Sequence, residues 1–226
     1  LSRKLLRTLL PILMLASFGS RTAGAEPDLP IVKDQSLVTI EVYPLRHQLV
    51  VLLDHIPYRT YPVAVGNPKT PTPVGEYVVV FKGKNWGTAF GPRWIGLNVP
   101  WGTYGIHGTN RPYSIGQHAS HGCIRMRNSD VIELYEMIPL GTKVTIYGHV
   151  LGEANREPRT IAEGDVGADV QLVQNRLRSA GYYQGVCNGK FRSSTTAAVK
   201  KFQRANGLVP SGIVTPAVYE KLGLLE

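Results

Sequence analysis

The sequence predicts two domains of different class: a mainly β domain, sandwich- or barrel-like with one or more short helices, over residues 36–148, and a small all-α three-helix domain over 163–226. Three observations carry this. Apolar and polar residues alternate from Val38, prolines and glycines punctuate the text up to Gly75, and beyond residue 163 the apolar period lengthens to that of helices. A chain of 226 residues suits one main domain and a small one, and its 43% apolar and 18% charged residues are enough for a buried core.

The first 25 residues read as a signal peptide. Arg3, Lys4 and Arg7 make a basic start, Leu9 to Phe18 is a short apolar core, and Ala23-Gly24-Ala25 offers a cleavage site before Glu26. The apolar run is too short to span a bilayer, which takes roughly 20 residues, so no stable membrane insertion is expected after cleavage. Losing this segment, Arg21 included, would lower the formal charge of +9 by four. The remaining basic residues are scattered and form no nucleic-acid stripe. Export to a periplasm or cell wall is the expectation.

Strands are expected at Val38 to Tyr43, at Gln48 to Leu53 and around Val78 to Phe81, where β-branched and aromatic residues dominate. A helix is expected from Ser129 to Met137, with Asn128 or Ser129 as its cap and Val131, Leu134 and Ile138 on one face. Lys143 to Tyr147 closes a mostly antiparallel sheet. Residues 149–162 are polar and read as a linker.

In the second domain Val170, Val173 and Leu177 mark one helix ending at Gly181, and Ala198, Val199 and Phe202 a second ending at Gly207. Thr215-Pro216 has the form of a cap followed by a first-position proline, opening a third helix. Val173-Gln174 and Phe202-Gln203 repeat an apolar-Gln pair before a glycine stop, a hint of internal duplication.

The chemistry is concentrated in His107-Gly108 and Ser120-His121-Gly122-Cys123-Ile124-Arg125. A thiol near an imidazole is the pairing for covalent acyl transfer, since the thiolate attacks and the histidine takes its proton. The sixteen residues from His107 to Cys123 exclude a helical turn and imply neighbouring strands or loops, with Thr109 to Ala119 arching over the site. The N–H groups of Gly122 and Cys123 are candidate oxyanion donors, and a glycine at 122 admits close approach of a reacting carbonyl. Arg125 suits a bidentate clamp on a carboxylate, against the alternative of an ion pair with Asp130 or Glu133. His121 would share the face of Cys123 on a strand and help position or polarise the site; a hydrogen-bonder that shapes the turn is the equal alternative. Trp86, Trp94, Trp101 and Tyr104 read as core first and as walls of a donor cleft second. Tyr113 and His118 are surface candidates in the arching segment.

His107, His118, His121 and Cys123 are also zinc-ligand types, but no carboxylate base stands at the usual helical spacing, and neither metal nor cofactor is expected.

The HG pair, then SHGC followed by arginine, resembles the signature of the YkuD-type L,D-transpeptidase catalytic domain. Thr72-Pro73-Val74-Gly75-Glu76-Tyr77, Asn128 and Gly141-Thr142-Lys143-Val144 extend the likeness to about residues 37–148. The resemblance implies that Cys123 is the nucleophile, that His107 is its base with the Gly108 carbonyl orienting the ring, that His121 and Gly122 complete the catalytic group, and that Arg125, Ser120 and Tyr104 contact substrate. It implies attack on the peptidoglycan stem peptide after its third residue, release of D-alanine, and transfer to an amine. Residues 163–226 resemble a peptidoglycan-binding domain through Gly167-Ala168-Asp169-Val170, Gly181-Tyr182-Tyr183, Gly189-Lys190-Phe191 and Gly212-Ile213-Val214. Cys187-Asn188 departs from the aspartate usual before that glycine, so the sequence does not decide whether this module binds a cation. Peptidoglycan stem peptide and glycan are thus the expected partners, with the second domain as a tether. A non-catalytic or hydrolytic wall-binding protein is the alternative. No motif names the acceptor or the oligomeric state. A Cys123–Cys187 disulfide, which export invites, would consume the nucleophile and is not expected.

Overall fold

The computed structural model describes residues 37–152 and 157–225, all within one compact unit; the expected signal peptide lies outside them. Ten strands and one helix build the first domain: β1 Val38–Tyr43, β2 Gln48–Leu53, β3 Ile56–Pro62, β4 Val65–Gly66, β5 Gly75–Lys84, β6 Arg93–Leu97, β7 Tyr104–His107, β8 His118–Ser120, β9 Ile124–Arg125, α1 Asn128–Met137 and β10 Lys143–Ile146. Eight of them form one sheet in the order β3-β2-β1-β10-β5-β6-β7-β9, and β4 pairs with β8. The mainly β class is therefore what the chain adopts.

Most pairings are antiparallel, as expected, but β1–β10, β7–β9 and β4–β8 run parallel. The alternation in β1 does its work by burying Ile40 and Val42 completely, each such side chain contributing about 1.5–3 kcal/mol. Strand β3 escapes a pattern reading because it lies at the sheet edge with most side chains exposed. Helix α1 packs on β6 and β7 through Val131 and Leu134, so it backs the strands that carry the site.

The cap expected for α1 is not made. Arg127 occupies the cap position without a side-chain bond, while Asn128 Oδ1 accepts the Thr109 N–H at 2.9 Å. The helix start is thus spent on anchoring the segment that follows His107.

The second domain has the expected three helices: α2 Ala168–Ser179, α3 Ser193–Ala205 and α4 Pro216–Lys221. They enclose Phe191, Leu177, Val199 and Tyr219. Gly181 and Gly207 end α2 and α3 with φ of 80° and 70°, returning hydrogen bonds from Tyr182 and Leu208 to Leu177 and Gln203. Pro216 opens α4, but the Thr215 hydroxyl makes no cap bond.

The two glutamines justify the suspected duplication. Gln174 and Gln203 are buried, and each Oε1 accepts a glycine N–H from the following turn, Gly189 at 3.0 Å and Gly212 at 2.8 Å. Each amide then donates to the chain just beyond, at Lys190 and Ile213.

The linker reading of 149–162 is corrected at its far end. Ile161 is fully buried in the second core and exchanges two backbone hydrogen bonds with Val214. Arg159 binds both Asp165 and Asp169. Residues 153–156 lie outside the described part.

Candidate functional site

Parallel pairing of β7 with β9 sets Ile106 beside Ile124 and His107 beside Arg125. The two isoleucines are buried, which turns His107 and Arg125 to the opposite face; half-buried Cys123 immediately precedes β9. Met126 N–H donates to the His107 carbonyl at 2.8 Å and locks the register.

His107 is 3% exposed. Its Nδ1 lies 2.5 Å from the Gly108 carbonyl, so Nδ1 carries the proton and Nε2 is left basic. Trp94 stacks on the ring at 5.2 Å and 16°, and Phe90 meets it edge-on at 5.1 Å. Burial drives its pKa down to about 4 against the pull of the Gly108 and Phe90 carbonyls, with the Arg125 cation adding to the fall. The ring is neutral at physiological pH. Burial also pushes the Cys123 thiol up, opposed by the Gly105 N–H and Arg125.

A neutral thiol beside a neutral imidazole can pass its proton as attack occurs, without a standing ion pair. No hydrogen bond joins the His107 ring to the Cys123 sulfur among the described residues.

Gly122 N–H, one of the two candidate oxyanion donors, donates to Ser120 Oγ at 3.1 Å in the free protein. The Cys123 N–H has no acceptor among the described residues and keeps that capacity. Ser120 is 1% exposed and its hydroxyl donates to the Cys123 carbonyl at 2.5 Å. It closes the turn from a buried position, where the resemblance had implied a substrate contact. Gly122 itself has φ of 109°, and a Cβ there would meet Tyr104 Cε1 at 2.7 Å; the close neighbour that demands glycine is this ring.

His121 lies in the bend between β8 and β9, not on a strand, and is exposed. No hydrogen bond ties it to Cys123 or His107 among the described residues. Arg125 makes neither of the ion pairs weighed against substrate contact: Glu133 is held by Arg59 at 2.8 Å, and Arg125 Nη1 donates to the Ala119 carbonyl. With Arg111, Asn110, Thr109 and Ala89 it lines a cavity of about 210 Å³. Two guanidinium groups there suit an anionic group.

The aromatic residues divide. Trp94 and Trp101 are buried, Tyr104 is half-buried, and Trp86 is exposed while stacking on the outer face of Trp94 at 4.8 Å. In the arching segment Tyr113 is exposed, and His118 turns Nδ1 to the Gly66 carbonyl and its ring against His47, away from the site. No three potential metal ligands converge among the described residues. Cys123 and Cys187 are free thiols. Two contributors carry no local sequence signal of their role here: the Gly105 N–H and the Trp94 stack.

The mixed sheet thus sets an imidazole at the end of β7 beside β9, which begins just after a thiol. Residues 38–146 match the L,D-transpeptidase catalytic domain family and residues 166–222 the "Putative peptidoglycan binding domain" family, so the mainly β domain belongs to the first family and the three-helix domain to the second. The chain is 49% identical over 98 residues to "Putative L,D-transpeptidase YkuD" of Bacillus subtilis (strain 168), covering 43% of this chain and 58% of that protein. It is 40% identical over 116 residues to "Putative L,D-transpeptidase YqjB" of the same organism, covering 44% and 65%. The chain thus spans somewhat over half the length of these relatives. Among solved structures, the catalytic domain of the E. faecium L,D-transpeptidase aligns with a TM-score of 0.43 and 26% identity, covering 49% of this chain and 96% of that one. L,D-transpeptidase 3 from Mycobacterium tuberculosis aligns with a TM-score of 0.44 and 18% identity, covering 50% and 62%.

Proposed function

We propose that the chain is an exported peptidoglycan L,D-transpeptidase acting in the periplasm or cell wall, with Cys123 as nucleophile and His107 as base. The observation that supports this is the bond of His107 Nδ1 to the Gly108 carbonyl, at the end of the strand that pairs with β9 just after Cys123. It presents a basic Nε2 where a thiol proton would leave. As the Cys123 sulfur bonds to the carbonyl carbon of the third stem residue, its proton passes to Nε2. The Cys123 N–H steadies the oxyanion. The carbon–nitrogen bond to D-alanine then breaks, and the imidazolium gives its proton to the leaving amine. An acceptor amine attacks the thioester, loses its proton to Nε2, and the thiol is restored. Arg125 and Arg111 offer the cavity beside the base to a stem carboxylate.

The test is intact mass after incubation with purified muropeptides. A Cys123 acyl adduct with loss of D-alanine, followed by muropeptide dimers, supports transpeptidation. An adduct that yields only tripeptide makes the chain a hydrolase through the same intermediate. No adduct at all would leave a wall-binding protein.

A further inference from the structure

The two glutamine-clamped turns of the second domain have the same build and different neighbours. At Gly212, φ is 81°, and a Cβ would meet Thr196 and Lys200 of the domain's own helix α3. At Gly189, φ is 68°, and a Cβ would lie 2.5 Å from Cε3 and 3.1 Å from Cδ2 of Trp101, in the first domain. The backbone of one turn therefore lies directly on the indole face of the other domain. The turn is firmly held: Gln174 takes the Gly189 N–H, Gln171 donates to the Cys187 carbonyl at 2.9 Å, and Asn188 takes the Lys190 N–H.

Trp101 is 7% exposed and sits in the turn that leads into β7. Its ring meets Tyr77 edge-on at 6.4 Å. Three residues on, Tyr104 lays its ring against Gly122, beside Cys123. The same ring covers Gly102, the residue after Trp101, where a Cβ would meet Tyr104 Cε2 at 2.8 Å, and burial pushes its phenol up.

We propose that the Gly189 turn is a seat that braces Trp101, and through it Tyr104 and the Gly122-Cys123 elbow, so that the peptidoglycan-binding module is a positioning element of the thiol site as well as a tether. The proposal deepens the transpeptidase reading and rests on it for its meaning in catalysis. Trp101 and Gly189 are positioning residues; neither touches the reacting atoms. A tether alone acts by effective concentration on the polymer and leaves a soluble reaction untouched. A brace acts on Cys123 itself, and displacements near 1 Å at a reacting pair can cost about 100-fold in rate.

Gly212 supplies the matched control. Gly189→Ala and Gly212→Ala impose the same left-handed strain on equivalent turns, but only the first pushes a methyl into Trp101, and it also meets the Gly167 carbonyl of its own domain at 2.7 Å; Trp101→Ala, which leaves that carbonyl alone, separates the two contacts. In the full chain, the rate of Cys123 carbamidomethylation by iodoacetamide is followed by peptide mapping, which separates it from Cys187. The expected result is a change of at least about threefold in Gly189→Ala and none in Gly212→Ala; on soluble muropeptides, kcat falls by about 10- to 100-fold with KM little changed. Trp101→Ala should show the same defect, and adding Gly189→Ala to it should cost nothing further. Equal Cys123 reactivity in wild type, Gly189→Ala and Gly212→Ala would overturn the seat, as would additive effects of the Trp101 and Gly189 changes. Unfolding of the module by Gly189→Ala, seen as lost helical signal, still decides the matter, because a seat then requires altered Cys123 reactivity and a tether requires none. Thiol reactivity does not depend on the reaction assigned, so a wild-type chain that is alkylated normally but makes no acyl adduct refutes transpeptidation and leaves the seat to be judged on its own.

Discussion

The indole of Trp94 lies flat on the imidazole of His107, with centroids 5.2 Å apart and planes 16° from parallel. This contact strips water from a group that must accept a proton, and the result is a pKa of about 4, set first by burial.

The acid limb of kcat/KM is therefore expected near pH 4, and not near the ordinary 6.5 of histidine. Trp94→Leu should move it upward by re-admitting water to one ring face. The profile of thioester formation between about pH 3.5 and 8 checks this; an unchanged limb in the variant would show that Trp94 does not set the basicity.

The same shift makes a statement about stability. A histidine whose folded pKa is below its unfolded value binds fewer protons folded than unfolded between the two. Its contribution is complete above about 6.5 and drains away as pH falls toward about 4, worth about 3 kcal/mol. His107→Gln cannot take the proton, so its melting temperature should fall less over that window than that of the wild type. Parallel thermal melts at pH 4.5 and 7 measure the difference.

Cys123→Ala and Cys123→Ser should retain the fold and lose the acyl adduct, with turnover down by at least about 1,000-fold. The half-buried thiol is raised, so it is neutral at rest, and a serine hydroxyl in its place would be far harder to ionise beside a base of pKa about 4. Circular dichroism with intact mass separates loss of chemistry from loss of fold. Retained adduct in the alanine protein would refute the cysteine mechanism.

Asn128→Leu removes the acceptor of the Thr109 N–H, and Thr109 is 3% exposed. Leaving that donor unpaired is expected to cost about 1–3 kcal/mol. Because Thr109 begins the arching segment and lines the Arg125 cavity, KM should rise with the loss of stability. Asn128→Asp keeps an acceptor and should recover much of both. Melting temperature and KM are the readouts, and loss of neither would place the anchor of the segment elsewhere.

The site was legible where chemistry and spacing speak together. His107 and Cys123 are reactive types whose separation excludes a helical turn and implies neighbouring strands or loops, and β7 does pair with β9, which begins just after Cys123. Val38 to Tyr43 and Gln48 to Leu53 were legible because one face of each is buried. The misreadings share a cause, a side chain or backbone whose partner lies far along the chain. Asn128 has the composition of a cap, yet its amide serves Thr109, nineteen residues back. Ile161 sits in polar text, and only its pairing with Val214, fifty-three residues on, draws it into a core.

Arg159 gives the sharpest test of where the second domain begins. Its Nε donates to Asp169 Oδ2 at 2.6 Å, its Nη1 to Asp165 Oδ1 at 3.0 Å, and its Nη2 to the Val166 carbonyl, while its own carbonyl accepts the Tyr219 hydroxyl. Asp169 is 8% exposed and otherwise receives only the Val170 N–H. Removing the guanidinium strands a buried carboxylate, a loss of about 3–5 kcal/mol for fully buried pairs. The Arg159 side chain is 50% exposed, so solvent screening brings the expectation down to about 1–3 kcal/mol. Arg159→Ala should therefore loosen the module and weaken pelleting with sacculi. Arg159→Lys should recover little, since one ammonium cannot span two carboxylates and a carbonyl. Amide exchange across α2 and α4 reads the loosening directly. If exchange there is unchanged in Arg159→Ala, residue 159 belongs to a linker after all, and the domain starts beyond it.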